Sequence, residues 1–131
     1  MTIPKAHGPG FLALVNDAKS RVKQMDAQQY KQQLHDKPGG HTLIDTREDH
    51  EWVEAHAEGA VHLSKGILER DIEAAVPDKQ AKIVLYCGGG YRSALAADSL
   101  EKMGYTDVIS LDGGWRGWQE AGLPVVSAQK K

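Results

Sequence analysis

The most constraining feature of this chain is the junction at which an apolar strand runs through three glycines into a helix, with Cys87 at the end of the strand. Residues 83–86 form a short apolar run, which predicts a buried strand, and residues 92–103 place apolar side chains at helical spacing. Strand, glycine turn and helix in this order indicate an α/β fold. In such folds the functional groups collect where parallel strands end.

The chemistry expected at Cys87 is that of a thiolate. The first N–H groups of a helix and the positive end of its dipole favour a nearby negative charge, and glycines let the preceding turn aim further amides at it. Arg92 adds a fixed positive charge. The alternative is a cysteine that serves only as a small buried apolar residue. The run of glycines and the arginine favour the nucleophile.

Strands and helices alternate along the rest of the chain. Short apolar runs predict the strands, and helical periodicity with capping residues predicts the helices. Strands are expected at 22–25, 42–45, 59–63, 82–86 and 108–111, and helices at 11–21, 27–35, 48–57, 67–76 and 92–103, followed by a short segment capped by Asp112. This alternation predicts a mostly parallel sheet with helices on both faces.

Length and composition exclude several classes of protein. A chain of 131 residues is the size of one domain, and its net charge of -2 gives no reason to expect a nucleic acid or an anionic membrane as partner. No apolar run reaches the length of a membrane span, and the first ten residues lack the features of a signal peptide. The single cysteine fits a reducing compartment. We therefore expect a soluble, cytoplasmic protein.

The histidines do not predict a metal site. His50, His56 and His62 fall six residues apart, which suits neither the spacing of two ligands on one helix face nor a cysteine and histidine zinc pattern. The sequence therefore predicts neither a metal nor a cofactor.

Four ordered landmarks resemble those of single-domain rhodaneses. They are Leu43-Ile44-Asp45-Thr46-Arg47-Glu48, then His56-Ala57-Glu58-Gly59-Ala60-Val61, then Val84-Leu85-Tyr86-Cys87 with Arg92-Ser93, and last Leu111-Asp112-Gly113-Gly114-Trp115 with Trp118. The resemblance covers residues 22–126, which leaves an N-terminal arm and helix at 1–21 and a C-terminal tail at 127–131. It implies a five-stranded, mostly parallel sheet flanked by helices, with an extra N-terminal helix whose role stays open.

The resemblance also implies sulfur transfer by two successive displacements. The cysteine would take the outer sulfur of a donor such as thiosulfate, hold it as a persulfide, and pass it to cyanide, a cellular thiol or a protein acceptor. By the same resemblance Cys87 carries the sulfur, and the loop amides form the binding cradle. These amides belong to Gly88, Gly89, Gly90, Tyr91, Arg92 and Ser93.

Two other functions stay open. The first is a sulfur carrier or interaction module that serves one partner without turning over small donors. The second is a phosphatase or arsenate reductase, a group of related proteins with one more residue between cysteine and arginine. Here Gly88, Gly89, Gly90 and Tyr91 intervene, which is the shorter sulfurtransferase form. Only Arg92 is a clearly positioned cation, so a persulfide or another less charged donor also stays open.

Three further residues have structural interpretations. Asp45 and Arg47 are more consistent with an ion pair that orders the neighbouring loop than with an acid and an anion ligand. Ser93 contacts the sulfur, caps the helix or does both, and the sequence does not separate these roles.

Overall fold

The computed structural model describes residues 7–36 and 39–127. In chain order the elements are α1 (Pro9–Lys19), β1 (Lys23–Met25), α2 (Ala27–Asp36), β2 (Thr42–Asp45), α3 (Asp49–Glu54), β3 (Ala55–Ala57), β4 (Val61–His62), α4 (Leu68–Ala75), β5 (Ile83–Tyr86), α5 (Tyr91–Lys102), β6 (Val108–Leu111), α6 (Gly114–Glu120) and β7 (Val125–Ser127). Among these helices none is long and apolar enough to cross a membrane.

Five of the strands form one parallel sheet in the order β1-β6-β5-β2-β4. Strand β5 is therefore the middle strand, with β6 on one side and β2 on the other. The register pairs Thr42 with Ile83 and Asp45 with Tyr86, so β2 and β5 end at the same level. The predicted α/β fold with a five-stranded parallel sheet and an N-terminal helix is confirmed.

The alternation of side chains in β5 builds two cores, one on each face of the sheet. Ile83 and Leu85 pack in a cluster with apolar residues of α4 and α5. Val84 and Tyr86 pack in a second cluster with residues of α2 and α6. All four side chains are fully buried. Cys87, the next residue, therefore extends from the most enclosed strand of the molecule.

The predicted helix at 48–57 is wrong in its second half. Helix α3 ends at Glu54, and the next three residues form β3, which pairs antiparallel with β7 in a separate two-stranded sheet. Pairing with a strand about 70 residues later in the chain is a tertiary effect that overrides local helical preference. Ala57 is completely buried in the result.

The end of the chain carries a smaller correction. Asp112 does not cap α6, because the N-cap residue is Gly113, whose φ of 85° lies in the left-handed region.

Helix α1 begins at Pro9 and ends at Lys19, two residues earlier at each end than the periodicity predicts. Proline is well suited to the first turn of a helix, which explains the earlier start.

Candidate active site

Two backbone amides at the start of α5 contact the sulfur of Cys87. The N–H of Gly90 lies 3.1 Å from Sγ and the N–H of Ser93 lies 3.4 Å from it. Hydrogen bonds from amides to sulfur, together with the positive end of a helix, stabilise a negative charge there. The arrangement is therefore suited to a thiolate.

A pair of serines extends this contact into the protein. The Oγ of Ser93 lies 3.6 Å from the sulfur and 2.8 Å from the Oγ of Ser110, which is a fully buried residue of β6. When the sulfur is ionised, Ser93 can donate to it and accept from Ser110. The N-cap residue of α5 is Gly90, so Ser93 contacts the sulfur and does not cap the helix.

The loop needs glycine at Gly90. This residue has a φ of 98°, which side chains rarely tolerate, and an added Cβ would lie 3.2 Å from the backbone nitrogen of Gly113. Its conformation turns the N–H towards Cys87. Gly90 therefore both allows the backbone turn and supplies one of the amides that contact the sulfur.

The beginning of α6 holds the other side of the loop. The N–H of Trp115 donates to the carbonyl of Cys87 at 2.6 Å, and the N–H of Arg116 donates to the carbonyl of Gly88 at 3.4 Å. A Cβ added to Gly114 would overlap the Cys87 carbonyl oxygen. With its carbonyls held by α6, the loop leaves its amides free to face the sulfur.

Arg92 is bound to a carboxylate. Its Nη1 and Nη2 lie 3.1 Å and 3.5 Å from the two carboxylate oxygens of Glu51. Burial lowers the pKa of Arg92, but the hydrogen bonds and charge of Glu51 outweigh burial and leave it above the ordinary value. Burial likewise raises the pKa of Glu51, yet Arg92 holds it below the usual value. Both groups are charged, so the positive charge of Arg92 and the negative charge of Glu51 largely cancel.

A cavity of about 520 Å³ opens beside the sulfur. Cys87 is only 1% exposed, but it forms part of the cavity wall. A persulfide would extend the sulfur by about 2 Å, as in any S–S bond. The lining residues are His7, Phe11, Cys87, Gly88, Gly89, Tyr91, Arg92 and Arg116.

Arg116 brings an uncompensated charge to this cavity. It is exposed, and within residues 7–36 and 39–127 no carboxylate lies close enough to form an ion pair with it. The same described ranges hold no group of three or more histidine, cysteine or acidic side chains that could bind a metal ion. Among the described residues that line the cavity, Arg116 is thus the cation without a carboxylate partner.

Beneath the loop, Asp45 and Arg47 form the ion pair expected from the sequence. The Nη2 of Arg47 lies 2.8 Å from Asp45 Oδ2, and both side chains are almost fully buried. Tyr86 donates its hydroxyl to the same carboxylate at 2.6 Å, and Arg47 also donates to the carbonyl of Ala55. The guanidinium lies 4.5 Å from the ring of Trp115. This network ties β2, β3, β5 and α6 together behind the site.

The structure gathers the predicted site residues 87–93 at the end of β5, but their contacts differ from expectation. Among the cradle amides, those of Gly90 and Ser93 contact the sulfur, whereas the guanidinium of Arg92 turns to Glu51. The residues missed by the sequence interpretation are Glu51, Ser110, Arg116, His7 and Phe11. The one local signal for these residues was Ser110, a serine inside the apolar run 108–111. A polar side chain in a buried strand needs a hydrogen-bond partner, so this serine indicated a polar contact.

The family model for the rhodanese-like domain matches residues 26–121. The chain belongs to this family. Thiosulfate sulfurtransferase GlpE of Actinobacillus pleuropneumoniae serotype 7 is 32% identical over 89 residues, which cover 68% of this chain and 81% of that protein. The matched residues include β5, the loop that begins at Cys87, and α5.

Two solved structures resemble the whole molecule. A Rhodopseudomonas palustris protein of unknown function, described as a candidate tyrosine phosphatase, has a TM-score of 0.81 and 26% identity, covering 95% of this chain and 100% of its own. The polysulfide-sulfur transferase homodimer of Wolinella succinogenes has a TM-score of 0.74 and 26% identity, covering 92% of this chain and 90% of its own. The likeness extends beyond residues 26–121 in both.

Proposed function

We propose that this protein is a sulfurtransferase that carries sulfane sulfur as a persulfide on Cys87. The observation that carries the proposal is the pair of amide hydrogen bonds from Gly90 and Ser93 to a sulfur that lines an open cavity. Membership of the rhodanese-like family and the likeness to a thiosulfate sulfurtransferase support it.

The reaction divides into two displacements. The Cys87 thiolate attacks the outer sulfur of the donor, a new S–S bond forms, and the old bond of the donor breaks with its electron pair on the leaving group. With thiosulfate the leaving group is sulfite; with a persulfide it is a thiolate. An acceptor, either cyanide or a thiol, then attacks the outer sulfur and restores the Cys87 thiolate. Splitting one transfer in this way gives ping-pong kinetics.

The charges in the cavity favour a donor with one negative charge. Glu51 compensates Arg92, so among the described lining residues Arg116 is left as the cation without an ion-pair partner. Thiosulfate carries two charges and is less well balanced there than the singly charged RSS⁻ group of an organic persulfide. We therefore place a persulfide-type anion ahead of thiosulfate as donor.

Intact-mass analysis tests the proposal directly. The protein is treated with thiosulfate or with the persulfide of glutathione, and the mass is compared with that of Cys87→Ser. We expect a gain of one sulfur atom in the wild type and none in the variant, with faster loading from the persulfide. Release of the sulfur to cyanide or to a thiol over many cycles distinguishes an enzyme from a carrier that loads once. A wild-type protein that never gains sulfur would refute the proposal.

A phosphatase is the second candidate because of the description of the Rhodopseudomonas palustris relative. Such an enzyme needs an acid to protonate the leaving oxygen. Among the described residues that line the cavity there is no aspartate or glutamate. Hydrolysis of an aryl phosphate at a rate comparable with sulfur transfer would favour this candidate instead.

A further inference from the structure

We propose that His7 just before α1, Phe11 in the first turn of α1 and Tyr91, the first residue of α5, form an aromatic wall that selects sulfur donors with an apolar group. This inference rests on the proposed sulfur transfer and names the donor class of the same site. It also gives α1 a role, since the rhodanese-like match begins at residue 26, after this helix.

The three rings of the aromatic wall touch one another beside the sulfur. The His7 and Tyr91 rings meet edge to face with centroids 4.8 Å apart, and the His7 and Phe11 centroids are 5.1 Å apart. Phe11 also lies edge to face against Tyr91 at 6.1 Å. All three residues line the cavity that contains Cys87. A donor bound at the sulfur is therefore within reach of an apolar surface.

Helix α1 is held firmly enough to position that surface. Val15 and Ala18 are each 1% exposed, so one face of the helix is buried. Just beyond the helix, Arg21 donates to both carboxylate oxygens of Asp98 on α5, at 3.0 Å and 2.8 Å. The ammonium group of Lys19 lies 4.9 Å from the centre of the Tyr91 ring. These contacts join α1 to the helix that begins at the loop.

The other lining residues of the cavity make up a second, polar part of its wall. It carries Arg92, Arg116 and the loop glycines Gly88 and Gly89. An anion with an apolar body fits both sides, because its charge faces the cations and its body faces the aromatic wall. Thiosulfate has no apolar part and can use only the polar side.

Organic thiosulfonates provide matched probes for this idea. The Cys87 thiolate attacks the outer sulfur of the anion R–SO₂–S⁻, the S–S bond forms, and the bond between outer and sulfonyl sulfur breaks with its electron pair on the departing sulfinate. The cysteine sulfur is oxidised to the persulfide level and the sulfonyl sulfur is reduced to sulfinate. Benzenethiosulfonate and methanethiosulfonate share this reacting group and differ only in the size and aromaticity of R.

The test compares kcat/KM for the two thiosulfonates in the wild-type chain and its variants. We expect the wild type to prefer the benzene donor by roughly 3- to 10-fold, the value of one or two aromatic contacts. Phe11→Ala and His7→Ala should each lower kcat/KM more for the benzene donor than for the methane donor, and so remove much of this preference. Leu14→Ala is the matched control, since Leu14 is an apolar residue of the same helix and is 58% exposed. It should keep the preference.

Several results would overturn the proposal. Equal use of the two donors by the wild type overturns the aromatic wall alone and leaves sulfur transfer intact, whereas failure to gain sulfur from any donor overturns the proposed function as well. Equal losses with all donors in Phe11→Ala would indicate a purely structural role. If that variant does not fold, inhibition of the wild type by benzenesulfinate and methanesulfinate decides, and equal inhibition counts against selection by the wall.

Discussion

The guanidinium of Arg92 lies against the carboxylate of Glu51, with Nη1 3.1 Å from Oε1, at the edge of the cavity that contains Cys87. The same carboxylate oxygen accepts the backbone N–H of Glu48 at 2.9 Å, so it is held from two sides. Glu51 therefore fixes both the direction and the effective charge of the arginine that closes the loop.

Replacing Glu51 by glutamine should strengthen the binding of doubly charged donors. Arg92 would lose its compensating charge and face the cavity as a second cation, so we expect the KM for thiosulfate to fall by roughly 3- to 10-fold. Steady-state kinetics with thiosulfate and cyanide measure this effect. Glu54→Gln, an exposed change on the same helix, is the control and should leave KM unchanged. An unchanged KM in Glu51→Gln would contradict the compensating role of the carboxylate.

Removing the hydroxyl of Ser93 should slow the loading of sulfur. The variant Ser93→Ala loses one hydrogen bond to the thiolate and leaves Ser110 without its partner, so we expect the first turnover to slow by about 2- to 10-fold. Rapid-quench mass analysis of persulfide formation measures the rate. Ser99→Ala on the same helix should behave like the wild type, and equal rates in all three proteins would show that the hydroxyl does not act on the sulfur.

A methyl group at Gly114 should damage both folding and loading. The backbone there has a φ of 50°, and the added Cβ would overlap the Cys87 carbonyl, so α6 and the loop must separate. We expect Gly114→Ala to lower the free energy of unfolding by more than about 2 kcal/mol and to reduce persulfide formation sharply. Urea unfolding and intact mass measure these effects. Gly66→Ala is the control, because nothing lies within 4 Å of a Cβ at Gly66. Similar losses in both variants would argue against the contact.

The bond between Arg21 and Asp98 should contribute stability that depends on pH. Hydrogen bonds from Arg21 lower the pKa of Asp98 below its ordinary value of 3.8. A carboxylate with a lowered pKa in the folded state stabilises that state above the unfolded pKa, and the contribution is lost as the pH falls through the folded pKa. The wild type should therefore be more stable than Asp98→Asn at neutral pH, with the difference shrinking below pH 3.8.

Urea unfolding at neutral and acid pH measures this difference in free energy. Asp17→Asn serves for comparison, since Asp17 also accepts a hydrogen bond from Arg21 but is largely exposed and well screened. It should have the smaller effect. A difference between wild type and Asp98→Asn that does not change with pH would mean that the ionised carboxylate is not the source.

The fold and the position of Cys87 are predictable here because their signals are local. The apolar runs at 42–45, 83–86 and 108–111 each form a strand with bounds within one residue of the expected ones. Asp26 precedes α2 as expected of a cap, and its carboxylate accepts the N–H of Gln29 at 2.8 Å. In these segments the turn residues, caps and hydrophobic period agree with the sheet that forms, so local and tertiary preferences do not compete there as they do at β3.

The missed parts of the site depend on contacts between distant segments. Arg92 turns to Glu51, 41 residues earlier in the chain, and nothing in the loop sequence indicates that choice. Arg116 reaches the cavity only because α6 packs against the loop. Phe11 belongs to a helix that the sequence did predict, but the direction of its ring follows from how that helix lies on α5. Hydrophobic periodicity predicts which residues share one face of a helix, but it does not predict which residues of other elements that face contacts.

Cys87 directly follows the middle strand of the sheet, whereas Glu51, Arg116 and Phe11 lie on separate helices around it. Under the proposed function, chemistry and choice of substrate are thus carried by different parts of the chain. Substitutions on the outer helices can change which compound is accepted without disturbing the buried strand and its cysteine, so this architecture gives protein engineers, and natural divergence, a way to retarget the same reaction.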